Sequence, residues 1–290
     1  MKYLVVKGWM GFGDRLESLK MCVAYAQHFK LPIYVDWTDS TWSHGAESFY
    51  TYFKLLMPTF SLDEIPANAT YYPEYWKGKI KTPISFEIFN KKDEHKIDLG
   101  VLAKTSFNAD VIVVSSVGKR VIFDDNKFFA EVFRLVDTRI RNEVLSRRSR
   151  HPLEKSLGFH IRGTDRTKGQ VHRERSIQLI AMNAVMYGGF SGIPMITVSD
   201  DKESLEIWKR FFPHTIIFSQ LSLENTSNKG NHHIKKEDLK VSKDAMNVDM
   251  LIDFFTLASC QRILSTFKDS RFAREAQRTS PYIKMILGNE

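Results

Sequence analysis

Cysteine is almost absent: Cys22 and Cys260 are the only two in 290 residues. Both sit in apolar, helix-like contexts and read as small core residues. A disulfide framework and a cysteine metal site are thereby excluded, and a reducing compartment fits. No window approaches the roughly 20 apolar residues that a bilayer span requires. Met1 and Lys2 precede a strand-like run too short to be the core of a secretory leader. The expectation is a cytoplasmic protein with no transmembrane segment. The chain also lacks a Gly-Lys-Ser/Thr phosphate loop, zinc-finger spacing, an RNP-like aromatic motif and a basic helix with heptads. Nor is there an Asp-x-Asp motif. Asp124-Asp125 and Asp200-Asp201 are adjacent acids, read as turn and strand-end residues.

What is present suits a large folded chain. Hydrophobic residues make up 43%, enough for a sizeable core. The length fits two ordinary domains, with the boundary expected at 152/153. A net charge of +8 suits an anionic ligand such as a nucleotide. Nucleic acid is the rival from another class, and it predicts salt-sensitive RNA retention. The basic residues are scattered, however, apart from Arg147-Arg148-Ser149-Arg150 and Lys235-Lys236. The first cluster, followed by Pro152, reads as a solvated interdomain linker.

Strands and helices alternate. Residues 2–6 read as a buried strand, 14–29 as a helix and 31–37 as the next strand, a βαβ unit with a glycine-rich first turn. The turn is Gly8-Trp9-Met10-Gly11-Phe12-Gly13. Its spacing is not the dinucleotide fingerprint, and it either admits a phosphate close to the backbone or simply permits a tight turn. Residues 38–110 are dense in aromatics, including Trp42, Phe49, Tyr50, Tyr52, Phe53, Tyr71, Tyr72, Tyr75 and Trp76. They fit an acceptor-binding insertion that stacks on sugars, or irregular core packing. Residues 110–115 read as a strand, 127–136 as a helix and 137–148 as a charged helix continuing it. The second half repeats the alternation, with strands at 155–161, 195–199, 215–218 and 262–266. Helices are expected at 174–187, 204–212, 248–258 and from 269, and a mobile polar loop at 222–242. The fold class is α/β, two Rossmann-like domains facing a cleft.

Three strands of the second half end in polar residues: His160-Ile161-Arg162, Ser199-Asp200-Asp201 and Thr266-Phe267-Lys268. Ligands of open α/β sheets bind at such ends, and arginine offers a permanently charged fork of donors that matches phosphate oxygens. The plainer reading is a structural Arg-Asp pair beside a core histidine.

Taken in order, the stretches 7–16, 159–166, 197–201 and 253–267 resemble the motifs of the fucosyltransferase superfamily with the GT-B architecture. They are most similar to the α-1,6-fucosyltransferase branch, which includes the Nod-factor enzymes. The resemblance implies an inverting, metal-independent glycosyltransferase that takes fucose from GDP-fucose to a glycan acceptor, with no cofactor beyond the GDP-sugar donor. It places Arg162 on the β-phosphate, His160 beside the nucleotide and Asp253 on guanine. Asp200 would hold a ribose hydroxyl or the loop around it, and Thr266 and Phe267 would line the phosphate and base pocket. Gly11 and Gly13 would let the backbone approach the pyrophosphate, with Asp165 and Ser199 completing the donor set. Two positions depart from the pattern. Gly163 stands where the family has a second arginine, leaving Arg166 or Arg15 to rebuild the grip. Gln170 stands where the core-fucosylating branch has the acid proposed as base. Inversion needs a base near the acceptor hydroxyl, and Asp14 and Glu174, with Asp165, are the candidates. The alternatives are transfer of another GDP- or UDP-linked sugar and a nucleotide-sugar-binding protein without catalysis.

Overall fold

The computed structural model describes residues 2–90, 94–103, 105–115, 125–163, 170–187, 192–220, 236–238 and 240–288. The chain divides into two compact units, residues 1–136 with 284–290, and residues 137–283. The boundary therefore falls before the charged helix, not after it at 152.

The first unit contains β1 (Tyr3–Lys7), α1 (Phe12–Phe29), β2 (Ile33–Asp36), α2 (Phe49–Tyr52), β3 (Phe53–Leu55), β4 (Tyr71–Tyr72), α3 (Phe86–Asn90), α4 (Leu99–Leu102), β5 (Val111–Val114) and β6 (Phe133–Leu135). Its main sheet runs β2-β1-β5-β4, all parallel. β1 is buried at every position, as a central strand covered on both faces must be. The tight first turn comes from Gly8. A Cβ there would overlap the Arg15 guanidinium and the Trp37 ring. α1 starts after Gly11, carries Asp14 in its first turn and ends at Lys30 in the left-handed region, φ 54°.

The helix expected over 127–136 is a π-helical turn, Lys127–Val132, followed by strand β6. Phe133 and Leu135 are buried on either side of half-buried Arg134, a period of two, and β6 pairs antiparallel with β3. The aromatic stretch is largely core. Trp42, Phe49, Tyr52, Phe53 and Trp76 are buried, and Phe53 packs on Phe12, Trp37, Phe49 and Phe133. Tyr72 remains exposed and stacks on Phe107.

The second unit contains α5 (Thr138–Arg150), β7 (Leu157–Ile161), α6 (Gln170–Met186), β8 (Met195–Ser199), α7 (Lys202–Phe211), β9 (Ile216–Ile217), α8 (Lys243–Ala258), β10 (Arg262–Ser265) and α9 (Arg271–Thr279); α10 (Ile283–Leu287) leaves it. The sheet runs β10-β7-β8-β9, all parallel, so β7 is flanked by β10 and β8. Phe159 and Ile161 pack against Ile177, Ile180 and Ala184 of α6 and Trp208 of α7. Each such side chain contributes about 1.5–3 kcal/mol on burial. α8 begins five positions ahead of its expected start at Val248, because Ser242 Oγ accepts the Ala245 N–H at 3.1 Å and caps it. Most of the loop expected at 222–242 lies outside the described residues. No helix among the described residues is long and apolar enough to cross a membrane.

Candidate functional site

The site assembles at the carboxyl ends of β7, β8 and β10. The register pairs His160 with Ser265 on one side and Ile161 with Ser199 on the other. Parallel pairing thus brings residues about 40 and 105 positions apart onto one rim. The Arg162 backbone N–H donates to Thr266 Oγ1 at 2.8 Å, and Thr266 N–H donates to the His160 carbonyl at 3.1 Å. Arg162 Nη1 lies 2.5 Å from Asp200 Oδ2, and the Gly163 N–H donates to Asp200 Oδ1 at 3.0 Å. Both oxygens of Asp200 therefore fix the strand end that carries the arginine. The Arg162 side chain is 20% exposed.

His160 is buried, with Nδ1 3.1 Å from Ser265 Oγ and 3.2 Å from Ser270 Oγ. Its ring lies against Phe272. Burial pushes its pKa down to about 4; the Asp200 carboxylate opposes this and the Arg162 charge adds to it. The imidazole is neutral at pH 7. The Phe267 N–H donates to Ser265 Oγ at 3.2 Å. Ser199 Oγ donates to the Ile161 carbonyl at 2.8 Å, closing the β7–β8 corner.

Asp253 joins the rim through a relay. The Ser199 N–H donates to Ser219 Oγ at 2.9 Å, and Ser219 Oγ donates to Asp253 Oδ2 at 2.6 Å. Arg147 Nη1 donates to Asp253 Oδ1 at 3.2 Å and to Thr256 Oγ1 at 3.1 Å, with its guanidinium over the Phe218 ring. Burial pushes the Asp253 carboxyl up to about 7; the Asp249 charge adds to this, and Ser219 and Arg147 oppose it. Arg147 is thus not part of a solvated linker. It is buried on the same face of α5 as Ile140 and Val144.

The structure brings His160, Arg162, Ser199, Asp200, Thr266 and Phe267 together and ties Asp253 to them. Glu174 lies half-buried in α6. Gly11, Gly13 and Asp14 belong to the first unit, at the start of α1. Asp165 and Arg166 lie outside the described residues. Arg15, the other candidate for a rebuilt grip, is committed within its own unit. Its Nε donates to the Met10 carbonyl at 3.0 Å, and its Nη2 bonds Asp39 Oδ1 and Thr41 Oγ1 at 2.7 Å each. It also stacks on Trp37 and Trp42. Arg147 and Ser219 were not anticipated as parts of this site. For Arg147 the signal was there: Ile140, Val144 and Arg147 fall at i, i+4 and i+7, one helix face. Among the described residues, no group of three or more His, Cys, Asp or Glu side chains is placed to hold a metal ion.

No protein-family model and no curated protein matches the sequence. Solved structures do match its fold. NodZ alpha-1,6-fucosyltransferase soaked with GDP-fucose superposes with TM-score 0.70 at 18% identity, covering 97% of this chain and 94% of that one. Fucosyltransferase NodZ from Bradyrhizobium gives 0.68 at 18%, covering 96% and 93%. A mutant of Arabidopsis thaliana FUT1 in complex with GDP gives 0.55 at 14%, covering 96% of this chain and 68% of that one. The class is therefore α/β with the fucosyltransferase fold. Within that class the chain is similar to the NodZ structures over nearly its whole length.

Proposed function

We propose that the chain is an inverting, metal-independent glycosyltransferase that moves fucose from GDP-fucose to a glycan acceptor. The observation that carries this reading is Arg162, a partly exposed arginine held at a strand end, its guanidinium by Asp200 and its backbone N–H by Thr266. The fold supports it, because the NodZ structure was soaked with GDP-fucose and the FUT1 structure is a complex with GDP. Breaking the sugar–phosphate bond leaves charge on the diphosphate, and a cation held in place stabilises that charge without reorganising. Arg162 takes this role. Asp253, oriented by Arg147 and Ser219, reads guanine N–H donors. A carboxylate has about four lone-pair sites, so two protein bonds leave capacity for a base. Neutral His160, Thr266 and Phe267 flank the nucleotide. The base that deprotonates the acceptor hydroxyl is one of the candidates Asp14, Asp165 and Glu174.

A nucleotide-sugar panel scored by thermal shift, followed by donor hydrolysis and transfer assays, tests the reading. GDP and GDP-fucose raise the melting temperature where UDP- and ADP-sugars do not. Absence of a shift with both guanine compounds at millimolar concentration overturns the donor assignment. Binding without transfer or hydrolysis on any acceptor favours the non-catalytic alternative.

A further inference from the structure

Gly163 and Asp201 share one volume. A Cβ on Gly163 would overlap the Asp201 Cβ and carboxylate, so the acid fills the space where a side chain at 163 would stand. Two acids thus straddle the Arg162–Gly163 step. Asp200 is neutralised by Arg162. Asp201 is neutralised from elsewhere: Arg173 of α6 reaches Asp201 Oδ2 through Nε at 2.8 Å and Glu203 Oε2 through Nη1 at 2.7 Å. Asp201 sits at the N-cap of α7 yet makes no side-chain bond to the helix backbone. An aspartate there would ordinarily cap the helix. Its carboxylate is instead turned to Arg173 and the Ser204 hydroxyl. Arg173 and Asp201 are each 12% exposed by side chain, so water screens this pair poorly.

We propose that Arg173 is the charge-balancing residue of the phosphate subsite, cancelling Asp201 so that this second acid adds no repulsion to a diphosphate bound at Arg162, whose own acid partner is Asp200. This rests on reading the strand ends as a nucleotide-diphosphate site. Arg173 need not touch the ligand. It is a positioning residue whose effect grows with the charge of what binds, since like-charge repulsion scales with that charge.

The test is calorimetric titration of the full chain with GDP, inorganic pyrophosphate and guanosine. The variants are Arg173→Met, Arg173→Lys, Asp201→Asn and Arg173→Met with Asp201→Asn. Arg173→Met is expected to weaken GDP and pyrophosphate by about tenfold or more while guanosine changes by less than about twofold. Arg173→Lys restores most of the loss, and adding Asp201→Asn to Arg173→Met restores it without any cation. A purely structural role predicts that guanosine weakens in step with GDP and that Asp201→Asn rescues nothing; either result overturns the proposal. So does wild-type affinity in Arg173→Met. A wild-type chain that binds pyrophosphate but not GDP overturns the nucleotide reading, while the pyrophosphate series still decides the role of Arg173. A wild-type chain that binds neither overturns both.

Discussion

Arg147 of α5 donates to Asp253 of α8 at 3.2 Å, with side chains 5% and 7% exposed. The pair joins two helices more than a hundred residues apart in sequence and explains why α5 packs with the second unit. Such a pair is costly to break from one side, because Asp253 Oδ1 and Thr256 Oγ1 stay buried after losing the Arg147 donor.

Arg147→Ala is therefore expected to lose on the order of 3–5 kcal/mol of stability, measured by urea unfolding. Arg150→Ala, three residues on and 58% exposed, should change stability by less than about 0.5 kcal/mol. Equal effects from the two would refute a buried role for Arg147.

Gly163→Ala should destabilise by about 1–3 kcal/mol, since the added methyl must displace Asp201. Pairing it with Asp201→Gly should recover part of that loss. A Gly163→Ala variant that melts like the wild type would show that the Asp201 side chain moves aside freely.

Arg162→Ala should lower sugar transfer by about 10²-fold or more, the range seen when one preorganised donor to a developing charge is removed. Arg162→Lys keeps the charge and loses the fork, and should fall between the two. Assay of donor hydrolysis alongside transfer separates loss of leaving-group stabilisation from loss of the acceptor.

Stability against pH should show two opposed slopes. The depressed pKa of His160 makes the unfolded chain bind more protons between about pH 4 and 6.5. Its contribution is full above that window and is lost as pH falls through about 4. The raised pKa of Asp253 does the reverse, with its contribution full below about 4 and lost as pH rises towards 7. His160→Gln should leave stability falling as pH rises across the window, and Asp253→Asn should leave it rising. Urea midpoints across pH 4.5–7 read this out; matching profiles for the two variants would contradict the opposed shifts.

Much of this architecture was legible because parallel strands buried on both faces are short apolar runs, and the polar residue that ends each run stands out. That is how His160, Arg162, Ser199, Asp200 and Thr266 are found. β6 was hidden because Phe128, Phe129, Val132 and Phe133 fit a helical period locally, while its partner β3 lies about 80 residues earlier. Arg147 was hidden by its neighbours: within Arg147–Arg150 the charge run suggests solvent, and only the period shared with Ile140 and Val144 points inward. Arg173 and Asp201 become meaningful only once α6 and α7 are placed, since nothing along the chain reports that Asp201 fills the space beside Gly163.

The assignment of residues 284–290 to the first unit means that the chain leaves that unit once and comes back. Topologically, the second unit is an insertion in the first. No single cut can release the amino-terminal unit whole: a fragment stopped at residue 136 forfeits Ile286 and Leu287, both buried. A faithful half-protein would need residues 1–136 spliced directly to 284–290, whereas 137–283 can be excised as one continuous piece.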